Sequence, residues 1–121
     1  MGKIRSFTDL DVWKKADDLF FEVVQDIENF PATKVAYIIT DQLVRSVGSV
    51  SANIAEGFGR RGRNEFSYCL GIARGEGNEA LNWYFKVLRL KYISEDIFLK
   101  RQDSLVQIQK MLSGLISKIK I

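Results

Sequence analysis

The sequence predicts an all-α protein folded as an antiparallel, up-down-up-down four-helix bundle. Three observations carry this prediction. Apolar residues recur at steps of three and four along four separate stretches. No stretch alternates with the period of two that a strand requires. The breaks between stretches are only a few residues long, which places consecutive helices side by side. A length of 121 residues suits one domain, 1–121, with its own core.

The first helix is expected over about 9–28. Thr8 is a candidate N-cap, and Asp9 and Asp11 suit the positive end of the helix dipole. Phe7 and Val12 have the spacing of a hydrophobic staple. The apolar stripe reads Leu10, Trp13, Ala16, Phe20, Val23, Ile27, and Pro31 disfavours a helical Phe30 and sets the turn.

The second helix is expected over about 33–57. Its stripe is Val35, Ile39, Leu43, Ser46, Val50, Ile54, and Gly57 reads as the stop. The third is expected over about 65–91, with Asn64 as cap and a stripe of Phe66, Leu70, Ala73, Gly77, Leu81, Tyr84, Leu88. Glycines 71, 75 and 77 each cost about 1 kcal/mol against Ala inside a helix, which suggests a close crossing or a bend. The fourth is expected over about 95–120. Ser94 is its cap, and Leu105, Ile108, Leu112, Leu115 and Ile119 form its stripe. Lys118 and Lys120 suit the negative end of its dipole.

Composition narrows the function classes. The chain has no His, which removes the commonest general base and the usual nitrogen ligand of zinc or iron. Cys69 is the one cysteine, so no disulfide or two-cysteine metal site forms within the chain. Neither a catalytic constellation nor a metal or cofactor site is expected. No apolar run is long enough to span a membrane, and the expected location is the cytoplasm. The net charge of +3 is too small for attraction of nucleic acid by the whole molecule. Any such binding must come from a local cluster.

One cluster stands out. Gly57-Phe58-Gly59-Arg60-Arg61-Gly62 matches G-x-G-x-x-G, but a dinucleotide site needs a preceding strand, and here a helix precedes it. Arg60, Arg61 and Arg63 nevertheless put three guanidinium groups in four residues, a pattern suited to phosphate. A solvated turn, or pairing with acids of another subunit, explains them equally well. Arg45 is the further candidate for nucleic acid. Gln42, Asn53, Glu56 and Glu79 are candidates for a polar network that fixes helix register. If Glu56 and Glu79 lay close together they would offer acid/base chemistry.

Apolar surface exceeds what four narrow seams bury, because adjacent helical residues point about 100° apart. Val12, Leu19, Phe21, Ile72, Trp83, Phe85, Leu90 and Ile116 fall off the main stripes. Either broad stripes cover them or some form a subunit interface, for which Phe21, Trp83 and Phe85 are the candidates.

The chain resembles the small four-helix bundle proteins associated with intervening sequences of 23S ribosomal RNA, also called S23-like. The residues that carry the likeness run nearly end to end: Phe7, Leu10, Val12-Trp13 and Ala16; Phe30-Pro31; Gln42-Leu43 with Arg45-Ser46; Ser49 followed by Asn53-Ile54-Ala55-Glu56-Gly57; Gly59-Arg60; Ile72-Ala73-Arg74-Gly75; and Met111-Leu112. Two positions depart. Val50 stands where Ile followed by Pro is frequent, and Glu76 stands where Ser is usual. The resemblance implies a homo-oligomer, a ring of five bundles, and no enzymatic activity. It also implies kinship to accessory proteins of diversity-generating retroelements, which bind a reverse transcriptase and nucleic acid. Together these readings lead to a non-enzymatic oligomeric bundle that binds RNA or a ribonucleoprotein through arginines. The alternative is a protein-interaction scaffold, such as a reverse-transcriptase accessory, with no nucleic-acid contact.

Overall fold

A computed structural model describes residues 3–60 and 62–119. Arg61 and Lys120, singled out above, lie outside the described residues. A single 3-10 turn, Phe7–Asp9, precedes four helices: α1 (Asp11–Ile27), α2 (Lys34–Gly59), α3 (Arg63–Arg89) and α4 (Glu95–Ile119). No strand occurs among the described residues. The helices pack in cyclic order, α1 on α2, α2 on α3, α3 on α4, and α4 back on α1. Among the described residues no helix is long and apolar enough to cross a membrane.

The helix ends follow local chemistry, with corrections to the expected boundaries. Ser6, not Thr8, caps the start. Its hydroxyl accepts from the Thr8 N–H, and the Asp9 carboxylate reaches back to the Ser6 N–H at 3.0 Å. That capping box closes the 3-10 turn and delays α1 to Asp11. Phe7 packs edge-on against Trp13, with ring centroids 5.3 Å apart. Thr33 caps α2 through the Ala36 N–H, and Ser94 caps α4 through the Ile97 N–H. α3 ends in a Schellman motif whose left-handed residue is Lys91 (φ 63°), with the Tyr92 N–H reaching the Val87 carbonyl.

The core also corrects the expected stripe of α1. Val12, Ala16, Leu19, Val23 and Asp26 are buried, while Phe20 and Ile27 are only half-buried. The buried set keeps strict helical steps but ends on a carboxylate, so a search for apolar residues alone settles on the neighbouring phase. Val12, Leu19 and Ile116, expected off the stripes, belong to the core. Ile39, Leu43, Val47, Val50 and Ile54 of α2 meet Leu70, Ala73, Ala80, Tyr84 and Val87 of α3 and Phe98, Leu105, Ile108 and Leu112 of α4. Each of the larger side chains gains about 1.5–3 kcal/mol from full burial.

Gly57 is no helix stop. α2 runs on to Gly59, and Gly57 is buried where α2 crosses α3. A Cβ there would sit 2.6 Å from Cys69 Cβ and 3.0 Å from Phe66 Cδ1. Gly77 leaves room only for the end of the Gln109 side chain, while Gly71 and Gly75 face open space. Gly57→Ala is therefore expected to lower stability by about 1–3 kcal/mol through overpacking, despite the better helix propensity of Ala. Gly77→Ala displaces a flexible amide and costs less. Urea midpoints of the two variants check this, and equal midpoints contradict the close crossing.

Candidate nucleic-acid interface

The turn between α2 and α3 holds the arginine cluster. Arg60 leaves the helix in extended conformation, and Gly62 takes a φ of 102°, a value that favours glycine. Gly62, not Asn64, precedes α3, so Arg63 is the first helical residue, at the positive end of that dipole. Arg60 and Arg63 are both exposed. Arg60 donates to Glu56 one turn back, at 3.3 Å. Both partners are more than half exposed, so this pair holds little energy and yields easily to a competing anion.

Other cations share this end of the molecule. Leu10, Asp11 and Val12 line one hollow with Gly114, Leu115 and Lys118, which places the start of α1 beside the end of α4. Asn64, Ser67 and Tyr68 line another with Ile116, which places the start of α3 beside the same segment. Lys3, Arg5, Lys14, Arg60, Arg63 and Lys118 thus gather at one end with Asp9, Asp11, Glu56 and Glu65. Three of those acids are engaged: Asp9 by backbone N–H groups of Arg5 and Ser6, Asp11 by Lys14 at 4.0 Å, and Glu56 by Arg60. The backbone N–H groups of Arg5 and Ser6 hold the Asp9 carboxyl below its ordinary value. At the opposite end, Lys34, Lys86, Arg89, Lys91, Lys100 and Arg101 stand with Glu22, Asp26, Glu28, Glu95 and Asp96, and Arg101 holds Glu22 and Asp26.

The remaining candidates separate. Arg45 lies fifteen residues before Arg60 on α2, on the order of 22 Å along the axis. It pairs with Glu79 and, at 3.1 Å, with Glu76. The hydrogen bond to Glu79, with Glu76 beside it, raises its pKa further. Glu76, the departure noted in the sequence, therefore has a structural partner. Gln42, Asn53, Glu56 and Glu79 do not form the expected network: no hydrogen bond joins any two of them. Asn53 donates to the Ser49 carbonyl of its own helix at 2.8 Å, Glu56 faces solvent toward Arg60, and Gln42 is half-buried. The helical spacing put three of them on one face, but that face is the outer surface of α2. Glu56 and Glu79 are each held by a different arginine and form no acid/base pair. Phe21 is 59% exposed and Phe85 44%, whereas Trp83 is half-buried and lines a groove of about 370 Å³ with Ile39, Lys86, Arg89 and Leu90. Among the described residues no group of His, Cys, Asp and Glu could hold a metal ion.

The buried polar network lies elsewhere. Asp26 of α1 accepts from Arg101 Nε at 2.7 Å, from Arg101 Nη2 at 2.9 Å, and from the Tyr84 hydroxyl at 2.6 Å. Asp26 and Arg101 are under a tenth exposed and Tyr84 is fully buried, so a two-point ion pair joins α1 to α4 and the Tyr84 hydrogen bond ties in α3. Glu22 lies 3.7 Å from Arg101 at the rim. The sequence did carry a signal: Asp26 and Arg101 each fall on the buried stripe of their helix, where a lone charge requires a partner.

Burial, reinforced by the bond to Asp26, pushes the Tyr84 phenol far above its ordinary value of 10.0. The folded state keeps a proton that the unfolded chain releases. This contribution is complete below about pH 10 and declines as the pH rises beyond it. The urea midpoint is expected to fall more between about pH 8 and about pH 11 in the wild type than in Tyr84→Phe. Equal declines contradict the assignment.

A crystal structure of a protein of unknown function from the S23 ribosomal protein family of Bacteroides thetaiotaomicron is similar to this chain. It superposes with a TM-score of 0.81 at 25% identity, covering 88% of this chain and 95% of that one. No curated protein matches the sequence. The model of the 23S rRNA-intervening sequence proteins matches residues 8–114, which cover α1, α2, the arginine turn, α3 and most of α4. The chain belongs to the 23S rRNA-intervening sequence protein family.

Proposed function

We propose that the protein is a non-enzymatic, homo-oligomeric bundle that binds RNA through the basic end around the α2–α3 turn. The observation that carries this reading is the gathering of Lys3, Arg5, Arg60, Arg63 and Lys118 at the end of the bundle where the starts of α1 and α3 meet the end of α4. An antiparallel order of helices fits the short connections and the pairing of Gly57 with Cys69 and of Arg45 with Glu79. Exposed Phe21, Tyr37, Phe85 and Leu99 supply apolar surface for contacts between copies, and a ring, of five copies as the resemblance implies, would multiply weak phosphate contacts. The test is a titration with labelled RNA of the wild type and of a variant with Arg60, Arg61 and Arg63 changed to Glu. Unchanged affinity in the variant overturns the reading.

A protein-binding scaffold is the second reading. It is favoured by the engagement of Arg45 and Arg60 with carboxylates. Under it, the assembly carries no nucleic acid and the same variant loses oligomer mass.

A further inference from the structure

Beside the arginine turn, Glu56, Arg60, Asn64, Glu65, Tyr68 and Ile72 surround a pocket of about 230 Å³ with Cys69 at its base. We infer that this pocket holds an unpaired nucleobase stacked on Tyr68, so that the basic end selects single-stranded over duplex RNA. The inference rests on the RNA-binding reading above and names the form of RNA.

Among the described residues Tyr68 is the most exposed large hydrophobic side chain, at 71%, and it sits in the second turn of α3 next to the arginines. It also lines a second hollow with Ser67, Gly71 and Arg74. The ring therefore stands between two recesses, a placement that suits a stacking platform and adds little to the core. Base stacking on an aromatic ring is sequence-tolerant and needs a free base face, which a duplex does not present. The volume is below that of pockets for drug-sized ligands and suits one planar ring system.

The polar rim points to a base edge instead of a phosphate. Glu56 and Glu65 are acceptors that repel phosphate but accept from the amino and imino groups of a base, and the Asn64 amide both donates and accepts. Arg60, on the same rim, can stack on a base or reach the adjoining phosphate. Arg63 and Lys118, outside this pocket, serve the flanking backbone.

The test compares wild type, Tyr68→Ala and Tyr68→Phe with a labelled single-stranded RNA and with its duplex at one salt concentration. Oligomer mass is measured in parallel. Single-stranded RNA should bind the wild type about tenfold tighter than the duplex. Tyr68→Ala should lose about tenfold on the single strand and nothing on the duplex, and Tyr68→Phe should retain binding. Wild-type affinity in Tyr68→Ala, equal binding of the two RNA forms, or a reduced oligomer mass that assigns Tyr68 to a contact between copies overturns the inference. Failure of the RNA reading itself is distinct: in that case wild type binds neither form, or the triple arginine variant binds as wild type does.

Discussion

Replacing Asp26 with Ala is expected to destabilise the protein by about 3–5 kcal/mol, the largest single effect anticipated in the molecule. The change removes the acceptor of three hydrogen bonds and leaves the Arg101 guanidinium buried without its counter-charge. Tyr84 loses its acceptor at the same stroke. The cost is that of an orphaned charge, not the net worth of the ion pair, and that distinction can be measured. Asp26→Leu combined with Arg101→Met removes both charges and fills similar volume, so most of the loss should be recovered. Chemical unfolding of the single and double variants checks this. An Asp26→Ala variant within about 1 kcal/mol of wild type contradicts the network as drawn.

Reversing Arg60, Arg61 and Arg63 to Glu is expected to reduce RNA affinity by about a hundredfold or more at moderate salt, while leaving helicity unchanged. On a single strand each phosphate contact contributes a slope of about 0.7 in the logarithm of affinity against the logarithm of salt. Loss of three contacts therefore flattens the wild-type salt dependence by about two. Arg45→Gln is the matched control. It removes a cation that Glu76 and Glu79 already hold, so RNA affinity should stay at the wild-type value. Stability should fall by at most about 1 kcal/mol, the range of exposed ion pairs. Titrations over a salt series separate the two arginine groups, and an equal loss in both variants would show that the basic end is not special.

The four helices were legible in the sequence because their apolar steps are long, regular and separated by strong turn chemistry. Ser94 was readable as a cap for the same reason. Glycine was the less reliable marker. Gly57 looks like a stop but is required by the close approach of Cys69, and only the third dimension distinguishes the two. The phase of α1 was hidden because Asp26 occupies a core position that pattern reading reserves for apolar residues. Its partner Arg101 lies 75 residues away, a separation no local spacing reveals. In the candidate site, the arginine cluster was visible as a string of letters. Its reinforcement by Lys3, Arg5 and Lys118 depended on which ends of α1 and α4 meet. The exclusion of Arg45 likewise depended on Glu76 and Glu79 facing it from α3.

The central claim, that the basic end of an oligomeric bundle carries RNA, is tested most directly on the native assembly. Protein purified at low salt is analysed by light scattering for mass and by ultraviolet absorbance for nucleic acid, then again after a high-salt wash and re-addition of RNA. The expected result is an assembly of several chains that carries RNA, releases it at high salt and rebinds it when the salt is lowered. An assembly free of nucleic acid at low salt that takes up no added RNA would contradict it.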